Sequence, residues 1–226
     1  MDKAIRENPA RGVKLPRKGK AVKVYLTAEQ LGRLAEACTR HGEIVWVLGT
    51  VGLRWGELAG LQVRDVNVLR GRFSIERSAV TVGSDVAIGV PKTHERRSVA
   101  VPDSVMRLVS PLIEGRGPQE YVWARTDGSP MRVPSHGDWF DRAMQRCMAE
   151  DDSFPRVTPH GLRHVAAGLM VSAGANVKAV QRQLGHASAA MTLDTYAELF
   201  DEDLEAVRHA VNERVSDVVK LSSRGA

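Results

Sequence analysis

The spacing of apolar residues changes twice along this chain, and that change constrains the fold more than any other feature. Before Gln62 the apolar residues recur at helical spacing. Between Gln62 and Pro102 they fall in short β-branched runs separated by glycine-containing turns, and beyond Pro102 the helical spacing returns. This order predicts a mainly α protein with a small antiparallel β-sheet on one side, an α+β fold.

Residues typical of helix termini predict where the helices before the sheet begin and end. Thr27 and Gln30 have the spacing of a capping box, which predicts a helix over 27–40. A buried helix follows and ends at Gly52, and "RWGELAGL" forms a short third helix. The predicted strands are "VRDVNV", "RFSIERSAV", "VAIGV" and "RSVAVP".

The second half of the chain is predicted to be helical. "WFDRAMQRCM" carries its apolar residues on one helical stripe. Thr158 and Pro159 suit the N-cap and first turn of a helix that runs to about Ala173 and is closed by Gly174. Two further helices are predicted over 176–184 and 189–200.

Charge and periodicity divide the 226 residues into three parts. Residues 1–23 carry +6 without helical or strand periodicity, which predicts a basic linker or arm, whereas the whole chain carries +5. Residues 24–200 form the body. Residues 201–226 form a helical tail whose apolar stripe should dock on another surface, and the stripe consists of Leu204, Val207, Val211, Val215 and Val218.

Several classes of protein do not fit the composition. Cys38 and Cys147 are too few for a disulfide framework and lack metal-binding spacing, which favours a reducing compartment. The longest apolar run, 44–53, is too short to span a bilayer, and the N-terminus lacks a signal-peptide core. We therefore expect a soluble cytoplasmic protein. The sequence contains neither the phosphate-binding motif G-x-x-x-x-G-K-[ST] nor the dinucleotide-binding motif G-x-G-x-x-G, so no ATP or dinucleotide cofactor is expected.

One stretch of the body is strongly one-sided in charge. From Ser153 to Leu193 there is no Asp or Glu, although the stretch contains several cations and three histidines. Within it, His160, Arg163 and His164 share one face near a predicted helix N-terminus. Such a terminus favours anions, so the segment points either to a phosphate site or to an ordinary solvated helix face.

Three other segments supply complementary groups. Arg54 follows the predicted helix end at Gly52, and Glu57 is spaced to orient a neighbouring guanidinium. Lys92 lies in a turn between two predicted strands, and His186 lies in the connection between two predicted helices. Each of these features is common on protein surfaces when it is taken alone.

Tyr196 completes a set that suits phosphodiester cleavage without a metal. Guanidiniums can clamp the non-bridging oxygens, an oxygen nucleophile must attack, and the leaving 5′-oxygen needs a proton. A phenol is only about one part in a thousand ionised at pH 7, a deficit of roughly 4 kcal/mol that neighbouring groups must cover. Without such neighbours, Tyr196 would be an ordinary packing residue.

The motifs "GLRWGEL", "VPKTHERRSV", "TPHGLRH", "LGHAS" and "MTLDTYAEL", in this order, resemble the tyrosine recombinase or phage integrase family over about residues 25–200. The resemblance implies the catalytic-domain fold of that family for 24–200. It also implies that Arg54 and Arg163 clamp the phosphate and that Glu57 supports Arg54. His186 matches the position that hydrogen-bonds the phosphate.

The resemblance further implies how the protons and the nucleophile are handled. Tyr196 matches the nucleophile that forms a 3′-phosphotyrosyl link, and His160 matches the residue that assists it. Lys92 matches the hairpin lysine that protonates the 5′-oxygen. Val165 departs from the family, where Thr is frequent, but it occupies a packing position.

The implied partners are double-stranded DNA and other protomers, which in the full-length protein would form a tetrameric synapse. No metal or cofactor is implied. Residues 1–23 resemble an interdomain linker, and the tail either docks on a neighbouring protomer or folds back on its own chain. A DNA-binding domain ahead of the linker is expected to have been removed or to be absent.

Alternatives remain open within and beyond this family. An integrase is favoured over a chromosome-dimer-resolving recombinase, and a type IB topoisomerase would use the same chemistry. The alternative from a different functional class is a DNA-binding protein that has the same fold but no catalytic activity. A zinc site at His160 and His164 is disfavoured because a third ligand and the H-E-x-x-H glutamate are missing.

Overall fold

The computed structural model describes residues 12, 23–82, 85–89, 96–199, 207–209 and 211–216. The α-helices are α1 (Ala28–Ala37), α2 (Gly42–Val51), α3 (Trp55–Ala59), α4 (Asp103–Ile113), α5 (Trp139–Glu150), α6 (Leu162–Ser172), α7 (Val177–Leu184) and α8 (Ala189–Tyr196). The strands are β1 (Val66–Asn67), β2 (Arg72–Ile75), β3 (Ser78–Val82), β4 (Asp85–Gly89) and β5 (Arg97–Ala100). Short 3₁₀ turns cover Val63–Asp65 and Ala197–Leu199.

Helix α2 lies at the centre of the hydrophobic core, as its continuous apolar sequence predicts. It packs against α1, α4 and α6, and it ends at Gly52 in the left-handed conformation. The predicted capping box at the start of α1 is formed by Thr27 and Gln30. The apolar stripe of α5 is buried as predicted, with Phe140, Ala143, Met144 and Cys147 among its core residues.

The fold class is confirmed, but the strands form two sheets rather than one. Strands β1, β2 and β5 make an antiparallel sheet in the order β1-β2-β5, and β3 pairs separately with β4. The run predicted as one strand, "RFSIERSAV", is interrupted at Glu76 and Arg77. There the Arg77 guanidinium pairs with the buried carboxylate of Asp65, and β3 leaves the first sheet to pack against α3.

The start of α6 also differs from the prediction. Thr158 caps a turn rather than the helix, since its hydroxyl accepts a hydrogen bond from the Gly161 N–H at 3.0 Å. Helix α6 begins only at Leu162, so His160 lies in the turn before the helix. Val165 is fully buried, as expected for a packing position.

The two ends of the chain are described only in part. Of the predicted basic arm 1–23, all but positions 12 and 23 lie outside the described residues. The tail is helical over 207–209 and 211–216, and Val207, Val211 and Val215 are exposed there. Leu204 and Val218 lie outside the described residues. Within the part of the chain that is described, no helix is long and apolar enough to cross a membrane.

Candidate active site

The site is organised around the buried carboxylate of Glu57. Arg97 donates two hydrogen bonds to it, at 2.9 and 2.7 Å, and Arg54 donates through its side chain and its backbone N–H, both at 3.0 Å. Although burial opposes ionisation of Glu57, hydrogen bonds and charge from Arg97, followed by those from Arg54, hold its pKa below the ordinary value. The carboxylate therefore fixes two guanidiniums, one from the N-cap residue of α3 and one from the first residue of β5.

Arg163 lies deeper in the cluster than the sequence predicts. It is 4 % exposed, and it donates hydrogen bonds of 2.6 Å to the carbonyls of Gly52 and Leu184, which close α2 and α7. Helix C-termini carry partial negative charge, which helps to accommodate the buried cation. Burial, followed by the nearby charge of Arg54, lowers the pKa of Arg163 to about 10, so it remains cationic at pH 7. Its predicted position on a face shared with His160 is wrong.

The connection between α7 and α8 places His186 beside this cluster. Gly185 ends α7 in the left-handed conformation, and its carbonyl lies 3.4 Å from the Arg54 side chain. His186 Nδ1 lies 3.0 Å from the Thr192 hydroxyl, which orients the ring. Burial, then the charges of Arg163 and Arg54, lowers the pKa of His186 to about 4. His186 is therefore neutral at pH 7.

Tyr196 ends α8 and is almost completely enclosed, with 1 % of its surface exposed. Its hydroxyl lies 3.0 Å from His164 Nδ1, and its ring stacks on His186 with centroids 6.0 Å apart. On another side, Lys23 places its ammonium 5.5 Å from the ring centroid and donates to the Thr195 carbonyl. Burial raises the pKa of Tyr196, and the charge of Arg163 opposes that rise.

His160 and Lys92 complete the set of predicted site residues. His160 is exposed and packs edge-on against His164, with ring centroids 5.9 Å apart. Both histidines line an open cleft together with Lys23 and Arg156. Lys92 lies outside the described residues, so its predicted position is a hypothesis. No group of three or more potential metal ligands occurs among the described positions.

Sequence reasoning misses the roles of two residues. In the sequence, Arg97 is only one of several cations near the predicted hairpin, yet in the structure it forms a bidentate ion pair with Glu57. Helical spacing puts His164 on the correct helix face without a partner, and in the structure it meets the Tyr196 hydroxyl. These pairs are 40 and 32 residues apart in sequence, so local spacing carries no signal of either contact.

The arrangement of helices and small sheets is that of known DNA recombinases. The chain superposes on the Tn1549 transposon integrase, solved in complex with circular intermediate DNA, with a TM-score of 0.70 and 26% identity over 84% of this chain and 68% of that one. Residues 24–203 match the model of the phage integrase family. The chain therefore belongs to the phage integrase family.

Sequence relatives agree with this assignment. The chain is 27% identical to the tyrosine recombinase XerC of Pelobacter propionicus, over 88% of this chain and 66% of the relative. It is 29% identical to the integrase of Mycobacterium phage D29, over 85% of this chain and 52% of the relative. The chain thus spans about half to two thirds of the length of these curated relatives.

Proposed function

We propose that this chain carries the catalytic machinery of a site-specific DNA recombinase, of the integrase type, that cleaves and rejoins strands through a covalent 3′-phosphotyrosine. One observation carries the proposal most strongly. The tyrosine predicted as nucleophile stacks on His186 and lies within the electric field of Arg163, which comes from a different helix, α6. Packing alone does not require a phenol beside a cluster of guanidiniums.

In the proposed reaction, Arg54 and Arg163 hold the non-bridging oxygens of one DNA phosphate, and neutral His186 adds a hydrogen bond. The Tyr196 oxygen attacks phosphorus and gives its proton to a histidine of the site, the bond to the 5′-oxygen breaks, and Lys92 protonates that oxygen. The 3′-phosphotyrosyl ester conserves the energy of the broken bond. A 5′-hydroxyl from another strand then reverses the steps, so neither ATP nor metal is required for balance.

The enclosure of Tyr196 adds a requirement to this scheme. With 1 % of its surface exposed, the residue is shielded from a phosphate on DNA. Attack therefore requires a rearrangement that gives the phosphate access to the hydroxyl. The segment at Lys23, which contacts both Thr195 and the Tyr196 ring, is one part that must respond to it.

The proposed partners are double-stranded DNA and further protomers assembled on it. The acid-free stretch and the arginine cluster support DNA as the partner, because affinity for DNA comes largely from cations at its phosphates. The exposed valines of the tail support docking on a neighbouring protomer, as proposed for residues 201–226. Residues 1–23 are proposed to link the catalytic domain, 24–200, to a preceding DNA-binding domain of the full-length protein.

Covalent capture from a pool of DNA sequences tests the proposal and finds the target site at the same time. The protein is incubated with random-sequence duplexes that carry a nick just beyond the random region, so that the cleaved fragment diffuses away. We expect SDS-resistant protein–DNA adducts for the native chain and none for Tyr196→Phe, which removes one oxygen. Sequencing of the captured DNA then identifies the site.

The alternative outcome is equally informative. If the native chain retains duplex DNA on a filter but forms no adduct with any duplex of the pool, the protein is a silent DNA-binding member of the family. Adducts that persist in Tyr196→Phe would assign the nucleophile to another residue.

A further inference from the structure

The proton on the Tyr196 hydroxyl must leave during attack, and the structure offers it a receiver. His164 Nδ1 lies 3.0 Å from the hydroxyl, within hydrogen-bonding distance, and the two rings meet edge to face with centroids 5.6 Å apart. An imidazole nitrogen that carries no hydrogen accepts a hydrogen bond from a phenol and can take its proton.

His164 is also placed to pass such a proton on. Tyr196 is enclosed, whereas His164 is only partly buried and lines the open cleft with His160 and Lys23. One imidazole therefore connects the enclosed hydroxyl to a space that water can reach. His186, by contrast, stacks face to face on the tyrosine ring, and its Nδ1 lies against Thr192.

We propose that His164 is a catalytic residue that accepts the phenolic proton of Tyr196 as Tyr196 attacks phosphorus, and that it returns the proton on rejoining. The proposal rests on the proposed strand-cleavage function. As the O–P bond forms and the P–O5′ bond breaks, the phenolic proton moves to His164 Nδ1 and leaves an imidazolium. Lys92 protonates the departing 5′-oxygen separately. His160 packs against His164 and lines the same cleft, so the assisting role that the family motif implies for it is compatible with this path.

Two replacements separate proton transfer from positioning. His164→Asn keeps a polar group near the place of Nδ1 without basicity, whereas His164→Gln places its amide farther from the hydroxyl. We expect both to slow single-turnover adduct formation by about 100-fold, the size of a lost general base. DNA affinity should be unchanged. His136→Gln is the matched control, since that side chain is 89% exposed and pairs with Asp141.

Two chemical rescue experiments show whether His164 acts on the nucleophile or on the leaving group. Fluorinated tyrosine at position 196 has a more acidic phenol and should restore the His164 variants at least about 10-fold towards the native rate. A substrate with sulfur in place of the 5′-oxygen has a leaving group that needs no acid, because thiols are far more acidic than alcohols. It should rescue Lys92→Ala and leave the defect of the His164 variants in place.

The outcomes divide cleanly. Rescue of the His164 variants by the sulfur substrate, native rates in His164→Asn, or no rescue by fluorotyrosine would each overturn the proposal. A fall in DNA binding or melting temperature that matches the fall in rate would assign His164 a structural role instead. Absence of adducts with the native chain would refute the proposed function itself. A negative result in the His164 variants alone bears only on the role of His164.

Discussion

Arg163 combines two tasks at the scale of single residues. Its guanidinium is proposed to clamp phosphate, and it also bonds the carbonyls that close α2 and α7. Arg54 has a lighter structural duty, because its side chain is 28% exposed, its contact with the Gly185 carbonyl is long at 3.4 Å, and Glu57 keeps Arg97 as a partner when Arg54 is removed. The two arginines of one clamp therefore differ in what they contribute to folding.

Alanine replacements should expose this difference. Arg163→Ala leaves two enclosed carbonyls unpaired and is expected to reduce the free energy of unfolding by about 2–5 kcal/mol. Arg54→Ala should cost less, about 1–2 kcal/mol, because Glu57 keeps its two hydrogen bonds from Arg97. Urea unfolding measures both values, and adduct assays should show both variants deficient in cleavage. Equal losses of stability would contradict the two bonds of Arg163.

His186 gives a prediction for pH. Its folded pKa of about 4 lies below the ordinary 6.5, so between these values the unfolded chain binds a proton that the folded chain does not. Stability attributable to neutral His186 is thus present above pH 6.5 and is lost as the pH falls towards 4. In His186→Asn, the melting temperature should decline less over this interval than in the native chain.

The control for that measurement is His136→Asn, which alters an exposed histidine. Its melting temperature should follow the native curve. Parallel curves for the native chain and His186→Asn would contradict the burial of a neutral ring beside the arginines.

At the scale of elements, Gly185 sets the distance between the α7–α8 connection and β5. Its φ is +68°, and a Cβ there would lie 2.7 Å from the Arg97 guanidinium carbon, which Glu57 holds in place. Gln183, near the end of α7, fixes that helix to β5 by exchanging hydrogen bonds with the backbone of Ala100, at 2.9 and 2.8 Å. The connection and β5 therefore pack closely behind the site.

Gly185→Ala should accordingly disturb both stability and chemistry. We expect a loss of about 2–3 kcal/mol, of which about 1 kcal/mol reflects the left-handed backbone alone. Gly174→Ala is the matched control, because φ is +79° there and a Cβ meets nothing within 4 Å. Chemical denaturation of the two variants isolates the contact with Arg97. Identical losses would show that Arg97 moves aside without cost.

The elements that the sequence predicts well are those with local causes. The capping box at Thr27 and the left-handed glycines at Gly52 and Gly185 act within a few residues, and all three helix ends lie where the sequence predicts them. The pairing of Arg54 with Glu57 is also local. The family motifs locate further site positions, but they do not specify geometry.

The features that sequence reasoning misses depend on packing between distant segments. Arg97 reaches Glu57 only because β5 pairs with β2 and packs on α7, and Arg163 meets Gly52 across 111 residues. The break after Ile75 likewise depends on Asp65 being buried beneath Arg77. Neither periodicity nor spacing encodes such contacts.

At the scale of the whole molecule, the tail is the part that we propose joins one protomer to the next on DNA. Replacement of Val207, Val211 and Val215 by serine should leave the melting temperature of the free protein unchanged, because these side chains are exposed. It should weaken assembly on DNA that carries two captured sites, as measured by sedimentation. A lower melting temperature would instead indicate that the tail folds back on its own chain.

Leu69→Ser is the control for the tail variant, since Leu69 is fully exposed on the body. It should alter neither melting nor sedimentation. Loss of assembly in this control would point to a general effect of surface hydrophobicity.

The two bonds of Arg163 also bear on how such a protein can decay over evolutionary time. A lineage released from selection for strand cleavage can lose the Tyr196 hydroxyl at a small folding cost, since phenylalanine fills the same space and only the hydrogen bond with His164 is lost. Loss of Arg163 would destabilise the fold and expose the chain to proteolysis. Inactive descendants should therefore lose Tyr196 early and keep Arg163. The presence of Arg163 alone is thus a poor indicator of catalytic activity.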